Sequence, residues 1–344
     1  NYASSWRATC SRFSWLEISA PEGQSIGGLY VQWFNEAPPW RVDAWQDGAW
    51  QTVFECGDEF LAQYAALPAN VRRCRIYPKE GKQSDLKMVE LTVFGAGEPP
   101  AEVQRWQPVA EKCDLLVIAA HPDDEVLFMG GTLPYYGGAL GKTVELVNLV
   151  PASAQRKLEL LDCVWHCGVR SYPVFGRMRD KYATSLREIY SRWSKQELYD
   201  FVIKTIRRCK PDVIVTHDIN GEYGHGAHRA AADAAMRCID AAANPHVHGK
   251  SLKQYGAWQV QKLYLHLYPQ NTLVMDWRAP LDAFGGKTAF DVATEAFAYH
   301  VSQQETRYRV EDSGPYDNRL FGLYFSTVGD DVRKDDFLEH IGAV

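Results

Sequence analysis

The spacing of apolar positions changes character partway along the chain. Before residue 97 they alternate with polar ones over short runs: Leu29, Val31 and Trp33 form one, residues 41–46 and 49–54 flank Asp47-Gly48, and residues 74–77 and 88–94 supply two more. Period-two alternation marks strands with one buried face. Asp-Gly between two such runs is a favoured hairpin turn. Several short strands separated by turn signals predict a sandwich. Beyond residue 110 the runs lengthen. Residues 114–120 and 212–216 are near-continuously apolar, as strands covered on both faces require, and 143–149 and 262–266 read as further strands. Helical character is predicted for 126–140, 153–167 and 228–241, for a segment closing the domain at 291–304, and for a helix to about Lys210 opened by the capping box Ser194-x-x-Glu197. Buried strands alternating with helices predict an α/β fold with a doubly wound, mostly parallel sheet, preceded by a smaller all-β sandwich domain.

Composition supports that division. At 344 residues the chain suggests two domains. All ten histidines lie at or beyond His121, whereas seven of the eleven tryptophans lie before residue 108. Gly95-Ala-Gly-Glu-Pro-Pro-Ala101 has linker composition. The expected domains are 1–97, a linker 98–110, and 111–344. With 46% hydrophobic and 23% charged residues the chain is ordinary globular protein, which excludes a disordered or collagenous one. A net charge of −6 offers no global field for nucleic acid or anionic lipid. The apolar run 115–120 falls far short of the roughly 20 residues of a membrane span. The eight cysteines form no CxxC pair, so neither a zinc ribbon nor a thioredoxin motif is present. Cys163 and Cys167 share a helix face and read as small core residues; Cys10, Cys56 and Cys74 are candidates for disulfide pairing. The chain begins at Asn1 with neither methionine nor an apolar signal segment, so a processed or trimmed start is expected.

Ligands in open α/β sheets sit beyond the carboxyl ends of the strands. The first predicted strand of the second domain is followed at once by His121-Pro-Asp-Asp-Glu125, an imidazole and three carboxylates in five residues. The strand 212–216 is followed by His217-Asp-Ile-Asn-Gly-Glu-Tyr-Gly-His225-Gly-Ala-His228. Nitrogen and carboxylate donors together suit zinc, and a catalytic zinc takes three protein ligands and one open position. His121, one carboxylate of the first cluster and one histidine of the second would meet that requirement.

A strand followed by Ala-His-Pro-Asp-Asp-Glu, a helix with Arg-x-x-Glu, then Glu-Tyr-Gly-His-x-x-His and a late His-x-Ser-Gln together resemble the PIG-L/LmbE-like zinc-dependent de-N-acetylases over about residues 112–305. The resemblance implies a Rossmann-like domain, one zinc ion per chain, and removal of the acetyl group from N-acetylglucosamine-type amides in a sugar or glycan. It implies His121, Asp124 and His228 as zinc ligands and Asp123 as the general base. It implies His225 as the group that stabilises the oxyanion or protonates the leaving amine, and Tyr223 as a residue that swings toward the tetrahedral intermediate. Arg156 and Asp180 match substrate-binding positions, and His300 a motif that lines or supports the substrate site. Two departures stand out. Many relatives read His-Pro-Asp-His where this chain has His225-Gly-Ala-His228, so an acidic residue is missing. A common Thr-x-Gly turn is replaced by Val150-Pro-Ala-Ser153. Residues 72–97 resemble the closing strands of galactose-binding-like (discoidin, F5/8 type C) sandwiches, which implies a carbohydrate-binding module and an extracellular or cell-surface setting.

Three other functions compete. One is a glycan-binding protein whose α/β half does not catalyse; loss of a ligand or base would be expected there, and none is missing. Another is a zinc amidase acting on a different N-acyl substrate. The third, a metal phosphoesterase, lacks both a two-metal ligand set and a Gly-rich phosphate loop. Trp33, Trp45 and Trp50 are expected in the sandwich core, leaving Trp6 and Trp40 on loops as candidates for stacking on sugar.

Overall fold

A computed structural model of the chain describes residues 6–8, 15–34, 39–57, 60–79 and 86–342, the side chains of 6–8 excepted; Cys10 and the Trp6 side chain lie outside the described set. Two compact units result, Asn1–Pro108 and Val109–Val344. The predicted linker 98–110 thus belongs to the first unit as far as Pro108, where Val103, Gln104 and Trp106 are buried.

The first unit contains β1 (Trp6–Ala8), β2 (Leu16–Ser19), β3 (Gly28–Trp33), β4 (Trp40–Gln46), β5 (Ala49–Cys56), β6 (Ala62–Ala66), β7 (Arg73–Pro78) and β8 (Leu86–Phe94). They form two antiparallel sheets, ordered β1-β8-β3-β6 and β2-β7-β4-β5. The sheets meet where the Trp33 indole, on one, and the Trp40 indole, on the other, both donate to Gln63 Oε1. The tryptophan assignment needs correcting. Trp40 is the first residue of β4 rather than part of a loop, and side-chain alternation puts it with Val42 and Ala44 on the inner face, where it is fully buried. Trp45 then points out and is 40% exposed, edge-to-face with its cross-strand partner Trp50.

The second unit runs β9 (Leu115–Ala119), α1 (Asp124–Leu127), β10 (Val144–Asn148), α2 (Ala154–His166), β11 (Val174–Phe175), α3 (Leu186–Tyr190), α4 (Lys195–Cys209), β12 (Val213–Thr216), α5 (Gly226–Ala243), α6 (Gly249–Tyr255), β13 (Lys262–His266), β14 (Thr272–Val274), α7 (Ala289–Phe297) and β15 (Leu320–Ser326). Its sheet is ordered β11-β10-β9-β12-β13-β15-β14. The first five strands are parallel; β15 and β14 add an antiparallel edge that the sequence did not reveal. Every residue of β9, β10, β12 and β13 is buried. Each fully buried Leu, Ile or Val there contributes about 1.5–3 kcal/mol.

The winding reverses at β9: the chain goes out through β10 and β11, then returns to lay β12 and β13 on the other side. Such a switch point opens a crevice at the strands' carboxyl ends. β9, β12 and β13 therefore deliver His121, His217 and His266 to one edge of the sheet.

Two predicted helices are interrupted, both near that edge. The helix expected over 126–140 breaks after Leu127 and resumes as a π-helical turn at Leu133–Ala139. Gly130 adopts φ +52, and a Cβ there would lie 2.7–2.8 Å from the Asn318 and Trp277 side chains, so only glycine allows the approach. The helix expected over 291–304 ends at Phe297. His300 then leaves helical geometry (φ −76, ψ 63), and its side chain is fully buried.

Candidate active site

The turn after β9 is tightly built. Asp123 sits at φ 128, ψ −28, a region that costs a non-glycine residue about 1–3 kcal/mol and persists only when its surroundings impose it. Three contacts impose it here. The Asp123 N–H donates to Glu125 Oε2 at 2.9 Å, Arg156 Nη2 stands 3.2 Å from Asp123 Oδ2, and the same guanidinium donates to Pro122 O. Arg156 is delivered by the first turn of α2, where its N–H bonds the Ser153 cap at 3.2 Å. Burial and the adjacent Asp124 raise the Asp123 carboxyl to about 7 against the pull of Arg156. A carboxylate at that value is suited to taking a proton at neutral pH.

Asp124 gathers the imidazoles. Its Oδ2 accepts from the His121 backbone N–H at 2.7 Å and lies 3.2 Å from His121 Nδ1. It is 3.4 Å from both His217 Nε2 and His228 Nε2. Despite burial, these imidazoles hold its carboxyl well below the usual range. Two of the three compact donor triads among the described residues share His228, namely His121/His225/His228 and Asp124/His217/His228; the third is Glu125/Cys163/His300. The expected ligand set His121/Asp124/His228 straddles the two that share His228. His217 is already committed, because its Nε2 receives the Ala120 N–H at 3.0 Å and its Nδ1 bonds Glu222. His121 is the freer of the two to serve as a third ligand. Donors around a tetrahedral ion with 2.0–2.1 Å bonds stand about 3.3–3.4 Å apart. The separations of Asp124 from His121 and His228 fit such an ion.

The remaining expected residues fall around this centre. His225 stacks edge-on against His121 at 4.9 Å between ring centroids; its Nδ1 is buried without a hydrogen-bond partner among the described residues. Burial and the neighbouring imidazoles push it down to about 3. Tyr223, at φ 45, places its hydroxyl 3.4 Å from His228 Nε2 and stacks on Tyr308. Asp180 is half exposed, 4.0 Å from His121 Nε2, a position at the mouth. Arg156 is turned onto Asp123 rather than outward. Of the two roles expected for His300, lining the site or supporting it, the geometry fits the supporting one. His300 is fully buried and its Nε2 meets Glu125 Oε1 at 2.7 Å, so it reaches the site only through Glu125. The two motifs flanking that helix break are tied together: Glu159 of Arg-x-x-Glu accepts from the Ser302 N–H and hydroxyl at 3.0 and 2.6 Å.

Two site residues went unassigned from sequence. Glu222 accepts from three imidazoles, and His266, at the end of β13, is one of them. A histidine closing a buried strand, as His217 follows β12, was the available signal for His266.

The PIG-L family model, described as GlcNAc-PI de-N-acetylase, matches residues 116–239. A 1D-myo-inositol 2-acetamido-2-deoxy-alpha-D-glucopyranoside deacetylase of Catenulispora acidiphila is 30% identical over 236 residues, covering 60% of this chain and 71% of the relative. Its counterpart in Geodermatophilus obscurus is 32% identical over 204 residues, 51% of this chain and 68% of the relative. Among solved structures, the N,N'-diacetylchitobiose deacetylase of Pyrococcus horikoshii aligns with 56% of this chain and 71% of its own at 20% identity and a TM-score of 0.42. On the family model and the two sequence relatives, the chain belongs to the PIG-L de-N-acetylase family and is an N-deacetylase.

Proposed function

We propose that the protein is a zinc-dependent hydrolase that removes the N-acetyl group from a GlcNAc-type amino sugar in a glycan or glycoconjugate. The observation that carries this is the buried Asp123 carboxylate held by Arg156 and Glu125 beside Asp124, whose oxygen stands 3.2 Å from His121 Nδ1 and 3.4 Å from His228 Nε2. The names of the curated relatives support an acetamido sugar as substrate. His121, Asp124 and His228 would hold the metal. Zinc bound there would polarise the amide carbonyl and acidify a water. Asp123 takes the proton of the attacking water, with Arg156 and Glu125 keeping its carboxylate aimed. Tyr223 and His225 would supply hydrogen bonds to the oxygen that becomes negative; His225, held neutral, donates a hydrogen bond only, and the proton for the departing nitrogen is the one Asp123 took from the water. Asp180 meets sugar hydroxyls at the mouth.

The test is acetate release across a panel of N-acetylated sugars, with chelator and with zinc restored, on the wild type and on Asp123→Asn. Loss of a general base reduces turnover by about 10²–10⁴-fold. Asp123→Asn should show that loss with its zinc retained. Zinc lost from the Asn variant would make Asp123 a ligand instead, and phosphate rather than acetate release would replace the reaction class.

For the first unit, we propose a galactose-binding-like sandwich that holds the enzyme at a surface glycan outside the cell. The supporting feature is an open cleft of about 350 Å³ with Tyr64, Asn70, Glu98 and Arg105 on its walls. Among the described residues no helix is long and apolar enough to cross a membrane.

A further inference from the structure

The stretch between His225 and His228 is Gly226-Ala227, so neither imidazole has an acidic neighbour in sequence. A ligating histidine normally donates its second ring N–H to a carboxylate or carbonyl, which fixes the tautomer and raises the basicity of the ligating nitrogen. Glu222 is the carboxylate that does this here. It is fully buried, and its Oε2 lies 2.8 Å from His228 Nδ1 and 2.7 Å from His217 Nδ1. Its Oε1 lies 2.7 Å from His266 Nδ1 and accepts the Asp218 N–H at 3.2 Å. An ionised carboxylate only accepts, so each of these nitrogens carries the proton. For His228 that leaves the Nε2 lone pair directed to the side where Asp124 Oδ2 stands at 3.4 Å. For His217 the Nε2 lone pair is taken by the Ala120 N–H. His217 is thereby a fixed plate, stacked on His228 at 4.2 Å and 26°.

We propose that Glu222 is the positioning residue of the metal site: it holds His228 in the Nδ1-protonated form with Nε2 as the ligand atom, a service that no acidic residue between His225 and His228 supplies. This rests on the metal site proposed above. His225 receives no such partner, its Nδ1 being without a hydrogen bond among the described residues. The asymmetry separates the two histidines of the motif: His228 is prepared to ligate, and His225 is left free of a carboxylate.

The turn that carries Glu222 is built for this. Gly221 at φ +64, Tyr223 at φ 45 and Gly224 at φ +78 put three left-handed residues within four. That geometry sends the Glu222 side chain inward beneath the imidazoles while Tyr223 faces the site.

The experiment measures zinc affinity by competition with a chromogenic chelator for wild type, Glu222→Gln and His266→Asn, each checked for folding by near-UV circular dichroism. A Gln cannot accept from three imidazole N–H groups. Glu222→Gln should bind zinc about 10–100-fold more weakly, the usual loss for such a partner. His266→Asn, which removes a bond at Oε1 while His228 keeps its own at Oε2, should lose less than Glu222→Gln, below the roughly tenfold floor for a ligand's direct partner. Equal affinity in folded Glu222→Gln, or an equal loss in His266→Asn, overturns the proposal. If Glu222→Gln does not fold, the wild type decides. Long-range ¹H–¹⁵N spectra of histidine-labelled protein, metal-free and zinc-loaded, should place the His228 proton on Nδ1 in both. A proton on Nε2 in the metal-free protein overturns it. Acetate release is not read in these experiments, so a protein that binds zinc as expected yet releases no acetate defeats the functional reading alone.

Discussion

Glu125 and Glu222 are both buried carboxylates at the centre of a hydrogen-bond cluster, and each serves one member of the Asp123–Asp124 pair. Glu125 receives the Asp123 N–H, with His300 and Cys163 on its other oxygen at 2.7 and 3.3 Å. It acts on the main chain and stabilises a strained backbone. Glu222 touches no residue of that turn. It acts on side chains, through two imidazoles that both face Asp124. The proposed base is thus positioned through its φ and ψ, and the proposed metal ligand through its tautomer. Damage to the first should appear in turnover, and damage to the second in metal affinity.

The harshest way to break this comparison is Gly221→Ala. A Cβ there would lie 2.4 Å from the His225 carbonyl oxygen, at a φ that favours glycine. The Arg229 side chain, whose Cγ would lie 2.9 Å away, can swing aside, but the carbonyl is backbone, so the turn itself must move. Glu222 and Tyr223 would be displaced together. Roughly 2–3 kcal/mol of stability should be lost, with zinc affinity and activity falling together. Chemical denaturation with and without zinc checks this. A variant as stable and active as wild type would mean the turn yields without moving Glu222.

A gentler break isolates the other side. Glu125→Ala removes the acceptor of the Asp123 N–H, and kcat should fall on the order of 10–100-fold, as misplacement of a reacting group does. Zinc affinity should hold. Glu125→Gln keeps an acceptor oxygen and should recover most of the rate. Equal losses in Ala and Gln would show that the charge, not the hydrogen bond, is what matters; weakened zinc binding would erase the contrast with Glu222.

These two hubs also mark how far the sequence could be read. The β9 strand and its His-Pro-Asp-Asp-Glu turn were legible because an apolar run and its chemistry are contiguous. The pairing of that turn with the His217–His228 segment followed from two buried parallel strands ending at the same sheet edge. Glu222 was visible inside the second cluster but had no assignable role, because its partners come from β12, α5 and β13. The interruption at Gly130 and the early end of α7 escaped for a different reason. Helical periodicity continues through both, and the break is set by close packing against Trp277 and by the burial of His300 against Glu125. Trp40 was left off the strand and Trp45 was taken for its buried face; side chains alternate along β4, so Trp40, Val42 and Ala44 share the inner face and Trp45, five residues from Trp40, takes the outer one.

A third buried carboxylate sharpens the comparison by lacking imidazoles altogether. Glu145, on β10, is fully buried and accepts the Ala110 N–H at 2.7 Å. Burial raises it to about 7 from an ordinary 4.5, against the lowering effect of that hydrogen bond. Its folded state therefore favours the proton more than the unfolded chain does. The stabilisation is complete below pH 4.5 and is lost as the pH rises toward 7, the reverse of Glu222, whose imidazoles hold it well below the usual carboxylate range. A displacement from 4.5 to about 7 bounds the effect at about 3 kcal/mol. Glu145→Gln keeps an acceptor for Ala110 and carries no charge, at the expense of burying an amide. The variant should be more stable than wild type by on the order of 1 kcal/mol at pH 8 and no more stable at pH 5. Urea midpoints at the two pH values measure it. A Gln variant less stable at pH 8 than at pH 5, relative to wild type, would mean that Glu145 is ionised and paired in the fold, as Glu222 is.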